Sequence, residues 1–180
     1  ARGGTIRRSR IANNRTTNSG NSVIRTGYVY DSLIVNNISG WVMTFSGARA
    51  INCTIADNTG GGINDQAVAL NSIIYGNGGI QVGGGALCTN SLTGGGVRPG
   101  AGNISADPRF VDAPAGDYRL RADSPCVNAG SLAFLTHKEG ADYAGAPRVQ
   151  GGGVNMGALE TAVSVVTATS TSGGTVNPAG

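Results

Sequence analysis

Four stretches of the chain are variants of one pattern: Ser9-Arg10-Ile11-Ala12-Asn13-Asn14, Ser32-Leu33-Ile34-Val35-Asn36-Asn37, Cys53-Thr54-Ile55-Ala56-Asp57-Asn58 and Ser72-Ile73-Ile74-Tyr75-Gly76-Asn77. Their central Ile residues are 23, 21 and 19 positions apart, and a weaker fifth copy opens at Ser91-Leu92-Thr93. Within each copy the Ser/Cys and Ile positions alternate, which sends both to one face of a strand. Superposition gives three columns: small residues at Ser9, Ser32, Cys53 and Ser72; Ile at 11, 34, 55 and 74; and Asn14, Asn37, Asn58 and Asn77. Strands stacked about 4.8 Å apart place like above like. Ile then fills a core column, and Asn amides can hydrogen-bond along the stack. Asn also tolerates the left-handed conformation of a tight corner.

Outward from these stretches, a second short apolar segment follows each Asn: Val23-Ile24, Trp41-Val42-Met43, Ile63 and Ile80-Gln81-Val82. Gly-rich corners such as Gly60-Gly61-Gly62 and Gly76-Asn77-Gly78-Gly79 separate them. Coils of about 20 residues with two or three short strands are of solenoid scale. An antiparallel sandwich spaces its strands similarly, but it has no reason to repeat Ser-x-Ile-x-x-Asn at the same strand end. The Leu and Ala spacings of leucine-rich and helical repeats are missing, and no GGxGxD series occurs. The expected fold is all-β: a right-handed parallel β-helix with coils over 1–103, a C-terminal cap, and the start of a small β module.

Composition agrees. Of 180 residues, 31 are Gly and 13% are charged, with one Lys and two Glu to decorate a helix surface. Apolar residues run through the whole length, which argues against disorder. The net charge of +3 is carried by Arg, five of them within the first 15 residues: Arg2, Arg7, Arg8, Arg10 and Arg15. Such a stripe suits an outward strand surface or an acidic glycan, with Arg7, Arg8 and Arg10 as glycan-binding candidates. With few aromatics beside it, nucleic acid is not the expected partner. No apolar run reaches bilayer length.

The pattern changes after Asn103. Asp107-Pro108-Arg109-Phe110 is followed by Gly116-Asp117-Tyr118-Arg119-Leu120, Ser124-Pro125-Cys126-Val127-Asn128-Ala129-Gly130, Asp142-Tyr143-Ala144-Gly145-Ala146-Pro147-Arg148 and Asn155-Met156-Gly157-Ala158-Leu159-Glu160. This order of blocks (DPxF, GDYxL, SPCxNAG, DxxGxPR, (D/N)xGAxE) resembles the terminal segment of bacterial surface β-helix proteins of the choice-of-anchor Q or Pmp-like type. Asn155 stands where that family usually carries Asp. The resemblance implies an extracellular pectate-lyase-like solenoid without implying lyase chemistry. Independently, a solenoid end needs a cap, and Asp-Pro and Ser-Pro steps interrupt regular strands. Residues 104–160 are therefore expected to form final coils and cap, with Phe110, Tyr118, Leu120 and Val127 over the last coil. Residues 161–180 read as a linker or as strand, Gly-Gly turn and strand of a following repeat.

For chemistry the sequence offers little. Acidic residues in the repeats are Asp31, Asp57 and Asp65. Asp31 aligns with Arg8, Asn52 and Asn71 in a mixed outward column, and Asp57 belongs to another. Neither a lyase calcium cluster nor a glycosidase carboxylate pair is expected, so no catalytic, cofactor or metal residue is assigned. Asp107, Asp112, Asp117, Asp123 and Asp142 suit turns, with a structural calcium as the alternative. His137-Lys138-Glu139 reads as a solvated loop. Tyr28, Tyr30, Trp41 and Tyr75 would stack on sugar if outward, while Trp41 suits a core corner better. Cys53 reads as a buried thiol, and Cys88 with Cys126 is a possible disulfide. The expected function is a non-catalytic secreted or bacterial cell-surface module: a stalk, adhesin or filament segment, with self or polysaccharide as partner. The alternative is part of a polysaccharide lyase or glycosidase, or an acidic-glycan-binding module.

Overall fold

The computed structural model describes residues 4–16, 22–44, 47–135 and 140–162. Thirteen short strands build the solenoid: β1 (Thr5–Arg7), β2 (Arg10–Ala12), β3 (Ser22–Ile24), β4 (Gly27–Tyr30), β5 (Leu33–Val35), β6 (Trp41–Met43), β7 (Ala48–Ile51), β8 (Thr54–Ala56), β9 (Gly61–Ile63), β10 (Val68–Leu70), β11 (Ile73–Tyr75), β12 (Leu87–Thr89) and β13 (Leu92–Thr93). They stack as three sheets, β1-β4-β7-β10-β12, β2-β5-β8-β11-β13 and β3-β6-β9. Every pair within these sheets is parallel. The chain is a parallel β-solenoid of about four turns.

The Ile column lies in register, Ile11 on Ile34 on Ile55 on Ile74, and the last three are fully buried. Facing it from the first sheet are Val29, Ala50, Ala69 and Cys88, also in register. Ile24, Met43, Ile63 and Val82 close the triangle from the third sheet. The two apolar columns of the repeat thus meet a third that is mostly small, which suits a narrow lumen.

Two left-handed corners flank the second sheet. Arg8, Asp31, Asn52, Asn71 and Asn90 form one, with φ from 43° to 52°. Asn13, Asn36, Asp57 and Gly76 form the other, with φ from 54° to 69°. The strained residue is therefore the one before each ladder Asn. The ladder Asn itself contributes hydrogen bonds, not the left-handed turn expected of it.

Residues 104–160 cover part of the last coil, as Leu92 packs with Leu120, Cys126 and Met156, but they reach well beyond it. They return along the outer face of the second sheet. Strands β14 (Phe110–Asp112) and β15 (Asp117–Leu120) form an antiparallel hairpin. Tyr118, Ala158 and Leu159 pack on Leu33, Val35 and Ala56. Leu120, Cys126 and Met156 pack on Ile73 and Leu92. The last coil is closed by 94–104: the amides of Asn90 and Thr93 donate to the carbonyls of Ala101 and Ile104. A single 3-10 turn, Leu132–Phe134, is the only helical element among the described residues. The His137 loop and the expected strands after Thr161 fall in 136–139 and 163–180, outside the described residues.

Candidate functional site

The asparagine column forms a continuous amide ladder. Nδ2 of Asn14, Asn37 and Asn58 donates to Oδ1 of the next Asn at 2.9, 2.9 and 2.8 Å. The backbone N–H of each donates to the same oxygen. Asn37, Asn58 and Asn77 are buried, so these bonds satisfy groups that would otherwise be costly to bury. The Ser column behaves similarly: the N–H groups of Ser9, Cys53 and Ser72 donate to the hydroxyls of Ser32, Ser72 and Ser91. From the second coil onward both columns are buried and offer nothing to a ligand.

The left-handed corners are where the return segment attaches. Asn71 exchanges two bonds with the backbone of Ser131, at 2.8 and 2.9 Å. The Tyr118 hydroxyl donates to Asp57 at the opposite corner, 2.8 Å away. Between them the N–H of Ala158 donates to Thr54 Oγ1. A further contact is ionic. Arg148 lies 3.3 Å from Asp31 and 3.2 Å from Glu160. It also donates to the Gly157 carbonyl. Asp142 accepts from the backbone N–H groups of Ala146 and Glu160, and both oxygens of Glu160 accept from Asn155 N–H. Two carboxylates thus contact one guanidinium, and Asp142 is hydrogen-bonded to the backbone of Glu160 beside them. Burial pushes the Glu160 carboxyl up to about 7 against the opposing pull of Arg148, and raises Asp31 for the same reason. Asp142, Arg148 and Glu160 come from the motif blocks DxxGxPR and (D/N)xGAxE. At the departing position, the buried Asn155 accepts from Asn128 N–H and donates to Leu159 O and Thr161 Oγ1. A carboxylate could not make the last two bonds.

The remaining acidic residues of this segment serve turns or surface pairs. Asp107, Asp112 and Asp117 accept from backbone N–H groups two or three residues on. Asp123 pairs with Arg109 and Arg121. Among the described residues no group of three or more His, Cys, Asp or Glu is arranged to hold a metal.

The three candidate arginines do not converge. Arg7 lies on the outer face of the first sheet, Arg8 occupies the corner, and Arg10 lies on the outer face of the second sheet, beside Gly116 of the return segment. Arg7 instead joins a cluster the sequence only partly indicated. Its guanidinium lies 3.9 Å from the Tyr30 ring centroid. Tyr30 stacks with Tyr28 at 6.1 Å and an interplanar angle of 10°. Arg49 is in register with Tyr28 on the adjacent strand. Tyr28 is 41% exposed. A flat aromatic face between two cations can stack on a sugar ring and attract carboxylate or sulfate groups.

Trp41 is half-buried, its indole laid against Gly61 and Gly83 of the following coils. Cys53, Cys88 and Cys126 are buried free thiols. The Cys88–Cys126 disulfide considered from the sequence is not formed, because Cys88 belongs to the lumen core and Cys126 packs outside the second sheet.

No family model, no curated protein and no solved structure matches this chain. Among the described residues no helix is long and apolar enough to cross a membrane.

Proposed function

We propose that the chain is a non-catalytic β-helix module of a secreted or bacterial cell-surface protein, serving as a stalk, adhesin or filament segment. The observation that carries this reading is the use made of the polar side chains. Those of the repeat bond along the stack, and those of the corners and C-terminal motifs bond the return segment to the coils. This is the economy of a scaffold. It also supports the resemblance to choice-of-anchor Q or Pmp-like proteins as a structural signature, since the motif residues act together as a clamp. The test is incubation of the chain with a panel of anionic polysaccharides, following new reducing ends and unsaturated uronide absorbance. No product is expected, and sustained turnover overturns the reading. Antibody labelling of intact cells is expected, and confinement of the protein to the cytosol overturns its location.

The second reading, an acidic-glycan-binding module, is favoured by the exposed Tyr28, which lies beside Arg49 and stacks with the Tyr30 ring that Arg7 covers. Tyr28→Ala is expected to weaken binding to a sulfated or uronate glycan by about 1–2 kcal/mol, the scale of one stacking contact. Equal binding by both proteins in calorimetry removes this site.

A further inference from the structure

The charged and polar side chains of the return segment fall into two groups. Tyr118, Asp142, Arg148 and Glu160 fasten it to the coils or brace that attachment. A second group surrounds the β14–β15 hairpin and bonds to no coil residue among those described. Arg109 donates to the carboxylate and carbonyl of Asp123 at 2.8 and 2.9 Å. Arg121 Nε lies 3.5 Å from the other Asp123 oxygen, so one carboxylate is held between two guanidinium groups. Asp107 and Asp112 each turn one oxygen to a backbone N–H of their own turn, at 2.7 and 3.1 Å.

These five side chains line one cleft of about 510 Å³, within the ~300–1,000 Å³ of small-ligand sites. Part of its wall is aromatic. Phe110 is fixed edge-on against Tyr118, with centroids 5.2 Å apart. Tyr75, the last residue of β11, is half-buried and packs on the same apolar cluster as Phe110. Several polar atoms of the lining are free. The Tyr75 hydroxyl, the second oxygens of Asp107 and Asp112, and both terminal nitrogens of Arg121 have no hydrogen-bond partner among the described residues.

Charge narrows the occupant. Three carboxylates stand against two guanidinium groups in the lining, which repels a polyanion. The carboxylates are not arranged to hold a metal. Acceptors and donors at fixed positions beside an aromatic ring complement a neutral saccharide. Its adjacent hydroxyls both donate and accept, and its C–H face lies flat on a ring. Carboxylate and guanidinium are planar and can each take two such hydroxyls.

We propose that the cleft between Tyr75 and the β14–β15 hairpin is a binding site for a neutral saccharide. Tyr75 and Phe110 form its apolar wall, and Asp107, Asp112 and Arg121 bind its hydroxyls. The site is separate from the Tyr28 platform, whose cations suit an acidic glycan. It goes beyond the scaffold reading and does not depend on it: turnover of a bound glycan would overturn that reading and leave this site standing.

The test is calorimetric titration of the full chain with cellohexaose, mannohexaose, xylohexaose and chitohexaose. At least one of these neutral probes is expected to bind with a millimolar or tighter Kd. Tyr75→Ala and Arg121→Ala are each expected to weaken it about tenfold, and Tyr28→Ala to leave it unchanged. The Arg121 side chain is 63% exposed, so its removal reports on binding even where Tyr75→Ala disturbs the packing. No binding by any neutral probe at millimolar concentration overturns the proposal. So does affinity that survives Arg121→Ala or is lost in Tyr28→Ala. Oligogalacturonate that displaces the neutral probe from the Tyr28→Ala protein also overturns it, because the occupant would then be acidic.

Discussion

Arg148 Nε stands 3.3 Å from the Asp31 carboxylate, tying the second coil to a segment far along the chain, and the Arg148 side chain is only 2% exposed. Removing the cation leaves Asp31, Asp142 and Glu160 facing one another. Arg148→Met is therefore expected to cost about 3–5 kcal/mol in urea unfolding, the range for breaking a buried ion pair. Arg148→Lys is not expected to rescue, because a single ammonium cannot reach Asp31, Glu160 and the Gly157 carbonyl together. Adding Asp31→Asn and Glu160→Gln to Arg148→Met is expected to recover part of the loss.

The same cluster sets a pH dependence. The folded-state pKa of Glu160, about 7, lies above its ordinary value of 4.5. Between those values the folded protein holds a proton that the unfolded chain has released, so stability falls as pH rises through this window. The raised Asp31 carboxyl acts in the same direction from its own ordinary value of 3.8. The Glu160 contribution is roughly 3 kcal/mol. Urea midpoints measured from pH 4.5 to 8 are expected to decline, and Glu160→Gln to flatten much of the slope.

Ladder position decides what an Asn contributes. Asn58 is 1% exposed; its Nδ2 donates to Ile34, Ala56 and Asn77, and its Oδ1 accepts from Asn37. Asn58→Ala leaves buried partners on both sides unmatched and is expected to cost about 3 kcal/mol or more. Asn14→Ala, at the exposed end, is expected to cost under about 1 kcal/mol. Equal losses in chemical denaturation would show that the two rungs are equivalent.

Trp41 reports on its own packing. A Cβ at Gly61 would lie 2.3 Å from the indole, and one at Gly60 would lie 2.0 Å from the Ser39 carbonyl oxygen. Gly61→Ala is expected to displace the ring, red-shifting the emission of the chain's only Trp, with a loss of about 1–3 kcal/mol. Gly60→Ala meets backbone, which yields less readily, and is expected to destabilise more with a smaller spectral change.

The thiols are expected to be inert. Burial pushes Cys53 and Cys126 up to about 12 and Cys88 up to about 11, so little thiolate exists at pH 8. Iodoacetamide is expected to label none of the three in the folded protein and all three in guanidinium, as counted by mass spectrometry.

The coils were legible because the stacked residues are chemically alike. Ile above Ile and Asn above Asn leave a mark at fixed intervals, and the ladder bonds follow from that identity. The corner was illegible for the opposite reason. Arg8, Asp31, Asn52, Asn71 and Asn90 share a backbone conformation but three kinds of side chain, and Asn71 meets a partner 60 residues away. One signal of the return segment was present. Leu33-Ile34-Val35 is apolar at every position, as a strand covered on both faces should be, and all three residues are buried. Read that way, the strand asks for a cover on its outer side, and the apolar residues of the C-terminal blocks supply one. The Tyr28 platform could not be placed without knowing which residues of β4 face outward.

A stack of coils joined only to its neighbours can unravel one rung at a time. Here a segment that leaves the last coil reaches back to Asp57 and Asp31, so the second and third turns cannot peel away without releasing Tyr118 and Arg148. Through Asp31 and Asn71 the clamp also couples the second turn to the fourth, which are not neighbours in the stack. It also delays assembly, since these contacts close only after the whole length has been synthesised and brought round. Such a molecule should fold late and slowly and then come apart as a single body.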